Sequence, residues 1–330
     1  MIKLLLPLGL LLCVRGNAQS TYAEKLGFPA GAKVLILHVD DGGMSWDSNT
    51  GVRKALGEGV ATSVSVMMPC PWVPDLLHYL KDHPGTDAGL HLTLTSEWRN
   101  YRWGPLAGQA AVPGLVDTEG ALWASVEDVV THATADEVEK EIRAQLQRAL
   151  TAGLKPTHLD SHMGTLFAKP DFLQRYIKVG VESRIPVMFP GGHNTMIGAQ
   201  RGIDAATRKA FEETGQMIWQ AGLPVLDDLH NVSYDWGYPG NQTTTIEQHR
   251  AYATAQYIKT IQALKPGLTM VIMHCSEPTE VFQHITDSGN IRRGDLLAMT
   301  DPAFKKFLTD EHIILTTWRE VMERRSRIQR

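Results

Sequence analysis

Short apolar, often β-branched runs alternate with longer stretches of helical periodicity almost from end to end of the chain. Val34-Leu-Ile-Leu-His-Val39 reads as a buried strand, with further strands at 62–68 and 88–94 and helices at 48–57 and 72–82, the latter closed by Pro84. The clearest helix is 136–154, where Val138, Ile142, Leu146, Ala149 and Leu150 recur at helical spacing among Glu, Lys and Arg. The alternation continues with strands at 157–161, 186–189, 225–229, 268–273 and 313–317, and helices at 171–181, 204–220, 245–264 and 301–309. This is the signature of βα units around a parallel sheet. The fold class is α/β, with about seven or eight mostly parallel strands, near the size of a β/α barrel.

One stretch breaks the pattern. Residues 95–134 have little periodicity, many Gly and Pro, and an aromatic group at Trp98, Tyr101 and Trp103. An insertion this long in a compact domain is usually functional. No internal repeat or linker divides the remainder, so 19–330 is read as a single domain carrying the insertion.

At the N-terminus, Lys3, the apolar run 4–14 and the small-residue end Gly16-Asn17-Ala18 have the three parts of a secretory signal peptide, with cleavage expected after Ala18. The run is shorter than the roughly 20 residues a membrane span needs. The mature protein is therefore expected to be secreted or periplasmic, with no membrane span. It would keep only Cys70 and Cys275. One bridge between them is open, and two buried thiols are preferred. Asn231-Val-Ser233 and Asn241-Gln-Thr243 match glycosylation acceptors. The net charge of −4, without a long basic run, excludes a nucleic-acid-tracking surface.

Chemistry concentrates where predicted strands end. Asp40-Asp41 follow the first strand, His91 lies in the third, His158-Leu-Asp160-Ser-His162 ends the next, and His274 closes Val271-Ile-Met-His274. In parallel α/β architectures these ends converge on one face. One Asp and two His make a three-ligand divalent site with an open position, a second carboxylate can act as general base, and a further His as general acid. Asp160 can hydrogen-bond an active-site His or bond local backbone. Trp98, Tyr101 and Trp103 form either a platform for substrate or a small core that pins the insertion. His193 and the Asp227-Asp228-Leu-His230 group follow predicted strands, but structural roles are preferred for them, as for Trp123, Trp236 and Tyr238.

Three motifs, Val39-Asp-Asp-Gly42, Gly89-Leu-His-Leu-Thr-Leu-Thr95 and Pro156-Thr-His-Leu-Asp-Ser-His162, resemble those of the YdjC-like carbohydrate deacetylases, also called the ChbG/HpnK family. Met273-His274 and the 296–317 pattern resemble its closing segments. The resemblance implies a distorted β/α barrel, a divalent metal, and hydrolysis of an N-acetyl group on an amino sugar or oligosaccharide. It implies Asp41, His91 and His162 as ligands, Asp40 as base and His274 as acid. Imidazole donors favour Zn²⁺, with Mg²⁺ as the alternative. Two rival readings stay open on the residues alone: a metal-dependent phosphoester hydrolase and a glycan-binding protein with a silent site.

Overall fold

The computed structural model describes residues 20–230, 233–236 and 245–328. The expected signal peptide at 1–18, Asn231, Tyr238 and Asn241 lie outside the described residues. Chain order runs α1 (Tyr22–Lys25), β1 (Lys33–Gly42), α2 (Trp46–Gly57), β2 (Ser63–Val66), α3 (Val73–Asp82), β3 (Ala88–Leu92), α4 (Val126–His132), α5 (Ala135–Thr151), β4 (Leu159–Ser161) and α6 (Pro170–Ser183). Then come α7 (Thr195–Arg201), α8 (Ala205–Gln220), β5 (Asp228–His230), α9 (Ile246–Ala263), β6 (Gly267–Met273), α10 (Gly289–Met299), α11 (Pro302–Asp310), β7 (Ile314–Leu315) and α12 (Trp318–Ile328). Serine and threonine caps start several helices: Ser45 accepts from the Ser48 amide, and Thr134 and Thr245 form capping boxes with Glu137 and Gln248.

The seven strands form one parallel sheet in the order β4-β3-β2-β1-β6-β5, with β7 beside the first half of β1. It is a curled sheet, the distorted barrel expected. The 186–189 expectation needs correcting, because this segment makes isolated bridges (Leu159 with Val187, Pro190 with Leu226) and no ladder. Pro186 and Pro190 have no N–H to give, so a continuous ladder cannot form there. The segment still sits between β4 and β5, where Met188 donates to the Leu159 carbonyl and Leu226 to that of Phe189.

Strand alternation sorts the core into two layers. Leu35, Leu37 and Val39 pack with Leu90, Leu92, Leu159 and the helices outside, whereas Val34 and Ile36 pack with Met188, Leu226, Leu268, Met270 and Ile272 inside. Both faces of β1 are covered, which is why its sequence is a continuous apolar run. The inner parity carries forward to His38 and Asp40 on β1, His91 on β3, His158, Asp160 and His162 around β4, and His274 after β6. Polar residues on the inner face of buried strands are thus aimed at one point near the strands' C-terminal ends.

The insertion is tied to α5 by two carboxylates. Glu141 accepts from the amides of Leu106 and Ala107 at 3.0 and 2.8 Å, and Glu137 from that of Gly114 at 2.7 Å. Loop amides that would otherwise be buried unpaired are thereby satisfied. At the opposite end of the sheet, buried Asp227 accepts from Tyr22, Ala23 and Leu268 amides at 2.7, 3.0 and 2.8 Å, lacing the N-terminal segment to the start of β6. Cys70 and Cys275 are separate buried thiols. No helix among the described residues is long and apolar enough to cross a membrane.

Candidate active site

Consecutive residues of a strand point to opposite faces, so Asp40 and Asp41 should not both reach the inner face. They do because β1 ends irregularly: its register against β2 shifts between Val39 and Gly42, and Asp41 takes a left-handed φ of 63°. Strained backbone of this kind persists where surrounding structure over-determines it. Both carboxylates line a cavity of about 910 Å³ together with His91, His162 and His274.

His91 Nε2 and His162 Nδ1 each lie 3.4 Å from Asp41 Oδ1. The other nitrogen of each ring is committed to a carboxylate. His91 Nδ1 donates to Asp160 at 2.6 Å, and His162 Nε2 donates to Glu97 at 3.1 Å. Such partners fix ring orientation and tautomer, leaving the nitrogens that face Asp41 able to act as ligands. Asp41 Oδ1 is buried and has no hydrogen-bond partner.

Two imidazole nitrogens at 3.4 Å from one carboxylate oxygen, with all three atoms within 4.8 Å of one another, suit a four-coordinate cation with bonds near 2.1 Å. The local field agrees. Burial lowers the His162 imidazole, but Glu97 and Asp41 carry it up to about 10, so the site calls for positive charge. The residues present therefore fit a divalent metal. Two other clusters, His38-His158-Asp160 and Asp40-His91-Asp160, are also compact, but their closest contacts are imidazole–carboxylate pairs, His38 with Asp160 at 2.9 Å and His91 with Asp160 at 2.6 Å.

Three contributors escaped the sequence reading. His38 Nε2 lies 3.1 Å from Asp40 Oδ1 and 2.9 Å from Asp160 Oδ2; burial lowers its imidazole, yet these two carboxylates raise it to about 9. Glu97 comes from the aperiodic insertion. Arg292 of α10, a helix not anticipated from the pattern, reaches Asp41 Oδ2 at 2.7 Å from 251 residues away, both partners buried. Burial pushes the Asp41 carboxyl up, but Arg292 and His162 outweigh it and hold it well below the ordinary carboxylate range.

Residues 34–310 match the family described as YdjC-like protein. The chain belongs to the YdjC-like family. A carbohydrate deacetylase of Thermus thermophilus is 30% identical over 302 residues, covering 91% of the YdjC-like chain and 97% of its own. A carbohydrate deacetylase of Brevibacillus brevis is 37% identical over 218 residues, 66% and 81% of the two chains. The crystal structure of an Enterococcus faecalis protein, named for cellobiose-phosphate cleavage, covers 87% of this YdjC-like chain and 98% of its own at 19% identity and a TM-score of 0.68, a likeness that bears on the fold alone.

In the YdjC-like chain the aromatic trio divides. Trp98 lines the same cavity as Asp40 and Asp41, under the Arg292 guanidinium at 5.7 Å. Tyr101 turns away, donating to the Met44 carbonyl at 2.6 Å. Trp103 is only 5% exposed, packs edge-on against Trp98 and Tyr101, and donates to the Thr95 carbonyl at 2.9 Å. The platform expectation is therefore corrected for Trp103, which pins the insertion. Trp103→Ala is expected to cost about 3 to 5 kcal/mol, the range for truncating a buried aromatic, and to lower the thermal midpoint; an unchanged midpoint would show that the insertion does not rest on it.

The other candidates have structural places. Asp228 accepts from Met196 and Ile197 amides at the start of α7, with His193 beside it at 3.3 Å. Trp123 fastens the insertion through the Gly114 carbonyl, and His230 and Trp236 pack together.

Proposed function

We propose that this chain is a metal-dependent carbohydrate deacetylase that hydrolyses the acetamide of N-acetylated amino sugars or their oligosaccharides. The observation that carries the reading is that Asp40, Asp41, His91, His162 and His274 line one cavity. The activity named for the Thermus thermophilus relative agrees with it. Asp41, His91 and His162 would hold the cation, Zn²⁺ by the softness of imidazole, with Mg²⁺ the alternative. When bound, such an ion supplies Lewis-acid polarisation of the amide carbonyl and a more acidic water, worth several kcal/mol.

The side chains divide the proton work. Asp40 Oδ1 is held by His38 and by the Ser65 hydroxyl at 3.3 Å, leaving Oδ2 as the oxygen to take the proton of the attacking water. His274 Nε2 stands 3.9 Å from Asp40 Oδ2. Burial pushes its imidazole down to about 4, so the ring is neutral at rest and must gain a proton before giving one to the leaving amine. Asp40, once protonated, is placed to supply it. Tyr234 stacks on the ring at 5.0 Å, and Asp295 anchors the His274 amide at 2.9 Å, fixing its orientation. The signal-peptide reading puts this chemistry outside the cytoplasm.

The test is mass spectrometry of the purified protein with a panel of N-acetylated oligosaccharides. Loss of one acetyl unit is expected, abolished by a chelator and restored by Zn²⁺. Hydrolysis of phosphoesters in place of acetamides would favour the phosphoester reading, although Arg292, the cation nearest the ligands, is already paired with Asp41. Saturable glycan binding without any turnover would favour a silent site.

A further inference from the structure

The Trp98–Tyr101 hairpin and the 281–288 segment form a wall with a cavity on each side. Trp98 and Thr286 line the catalytic cavity, while Tyr101 and Ile285 line a second one of about 480 Å³. The second cavity is bordered by Trp46 and Trp72, which are 44% and 40% exposed. Both are exposed, whereas Trp98, Trp103, Trp123, Trp219 and Trp236 are buried or partly buried against the hydrophobic core. Adjoining aromatic rings left half in water and rimmed by polar groups mark interaction sites.

These rings are nevertheless held. Their centroids are 5.6 Å apart and their planes 57° apart. The Arg53 guanidinium lies 5.4 Å over Trp46 and is itself paired with Asp75. The Tyr101 hydroxyl is bound to the Met44 carbonyl, and Asp47 at the start of α2 accepts from the Thr279 amide, which sets the facing loop. Asn100, Thr279 and His284 supply polar groups at the border.

A pyranose has apolar C–H faces and a rim of hydroxyls, so it fits fixed aromatic faces edged by hydrogen-bonding groups. A lipid chain would leave that polar edge without partners. We propose that the Trp46–Trp72–Tyr101 cleft is a saccharide-binding subsite, holding distal sugar units of a glycan whose acetylated unit occupies the catalytic cavity. The inclined rings suit two successive units of a chain better than one flat ring. This inference rests on the deacetylase reading for its catalytic consequence.

The experiment compares Trp46→Ala, Trp72→Ala and the double variant with the unsubstituted protein, on an N-acetylated disaccharide and on a hexasaccharide of the same series. Each ring is expected to contribute about 5- to 10-fold to affinity, the scale of an aromatic contact. KM for the hexasaccharide should rise by that factor with kcat unchanged, the disaccharide should be unaffected, and Trp72→Phe should restore most of the loss. Equal effects on both substrates, or none on either, would overturn the subsite. Should the unsubstituted protein deacetylate neither, titration by tryptophan fluorescence decides the subsite separately. Saturable hexasaccharide binding lost in the double variant would support the cleft while the deacetylase reading fails, and no binding would overturn the cleft.

Discussion

Asp40→Asn is expected to lower acetate release by about 10²- to 10⁴-fold, the range for loss of a general base, while leaving divalent metal content unchanged. The substitution keeps the shape of the side chain, and its amide oxygen can still meet His38 and Ser65, which hold Asp40 Oδ1 at 3.1 and 3.3 Å. What it removes is the proton acceptor. Asp40 lies outside the trio formed by Asp41, His91 and His162, so the cation should be retained. His91→Ala should behave in the opposite way, lowering metal occupancy along with activity. Elemental analysis beside single-turnover kinetics separates the two, and a fully active Asp40→Asn protein with metal bound would transfer the base role to another residue.

Removing the Arg292 charge should be strongly destabilising. Arg292 and Asp41 are 4% and 1% exposed, and deleting one member of a buried pair leaves the other charge uncompensated. Arg292→Met keeps the apolar stem between Trp98 and Tyr234 and is expected to lose about 3 to 5 kcal/mol of stability in chelated protein. A divalent cation at Asp41 would return a countercharge, so saturating Zn²⁺ should raise the melting midpoint of the variant more than that of the unsubstituted protein. Equal shifts in both would mean that the cation does not contact Asp41.

How far the site could be read from the chain depends on which force places each residue. The β1, β6 and α5 patterns were legible because burial on both faces of a strand, or on one face of a helix, writes itself as periodicity. The same parity points His91, Asp160 and His274 inward. Asp41 could not be derived that way, since strict alternation would turn it outward, and only its left-handed φ and the register shift bring it round. Its role followed from motif resemblance. Arg292 and Glu97 act across long sequence separations from a Gly-containing helix and an aperiodic loop, where no local signal marks a partner. Trp103 shows the same limit from the other side, because an aromatic in a loop looks alike whether it is buried or waiting for a sugar. The 186–190 segment kept its place beside β4 but lost its ladder to two prolines, a local effect that composition alone announces.

The lacing of Tyr22 and Ala23 to Asp227 also sets the orientation of any attachment. Asp227 sits before β5 and bonds Leu268 at the start of β6, so the described chain begins at the N-terminal edge of the sheet, whereas Asp40, Asp41, His162 and His274 lie at its C-terminal edge. A tag, support or neighbouring domain joined ahead of residue 20 would meet the molecule on the side away from the cavity that Asp40 and Asp41 line. Immobilised through that end, the protein would present its cavity to the solution, where long glycans could thread in without meeting the surface that holds it.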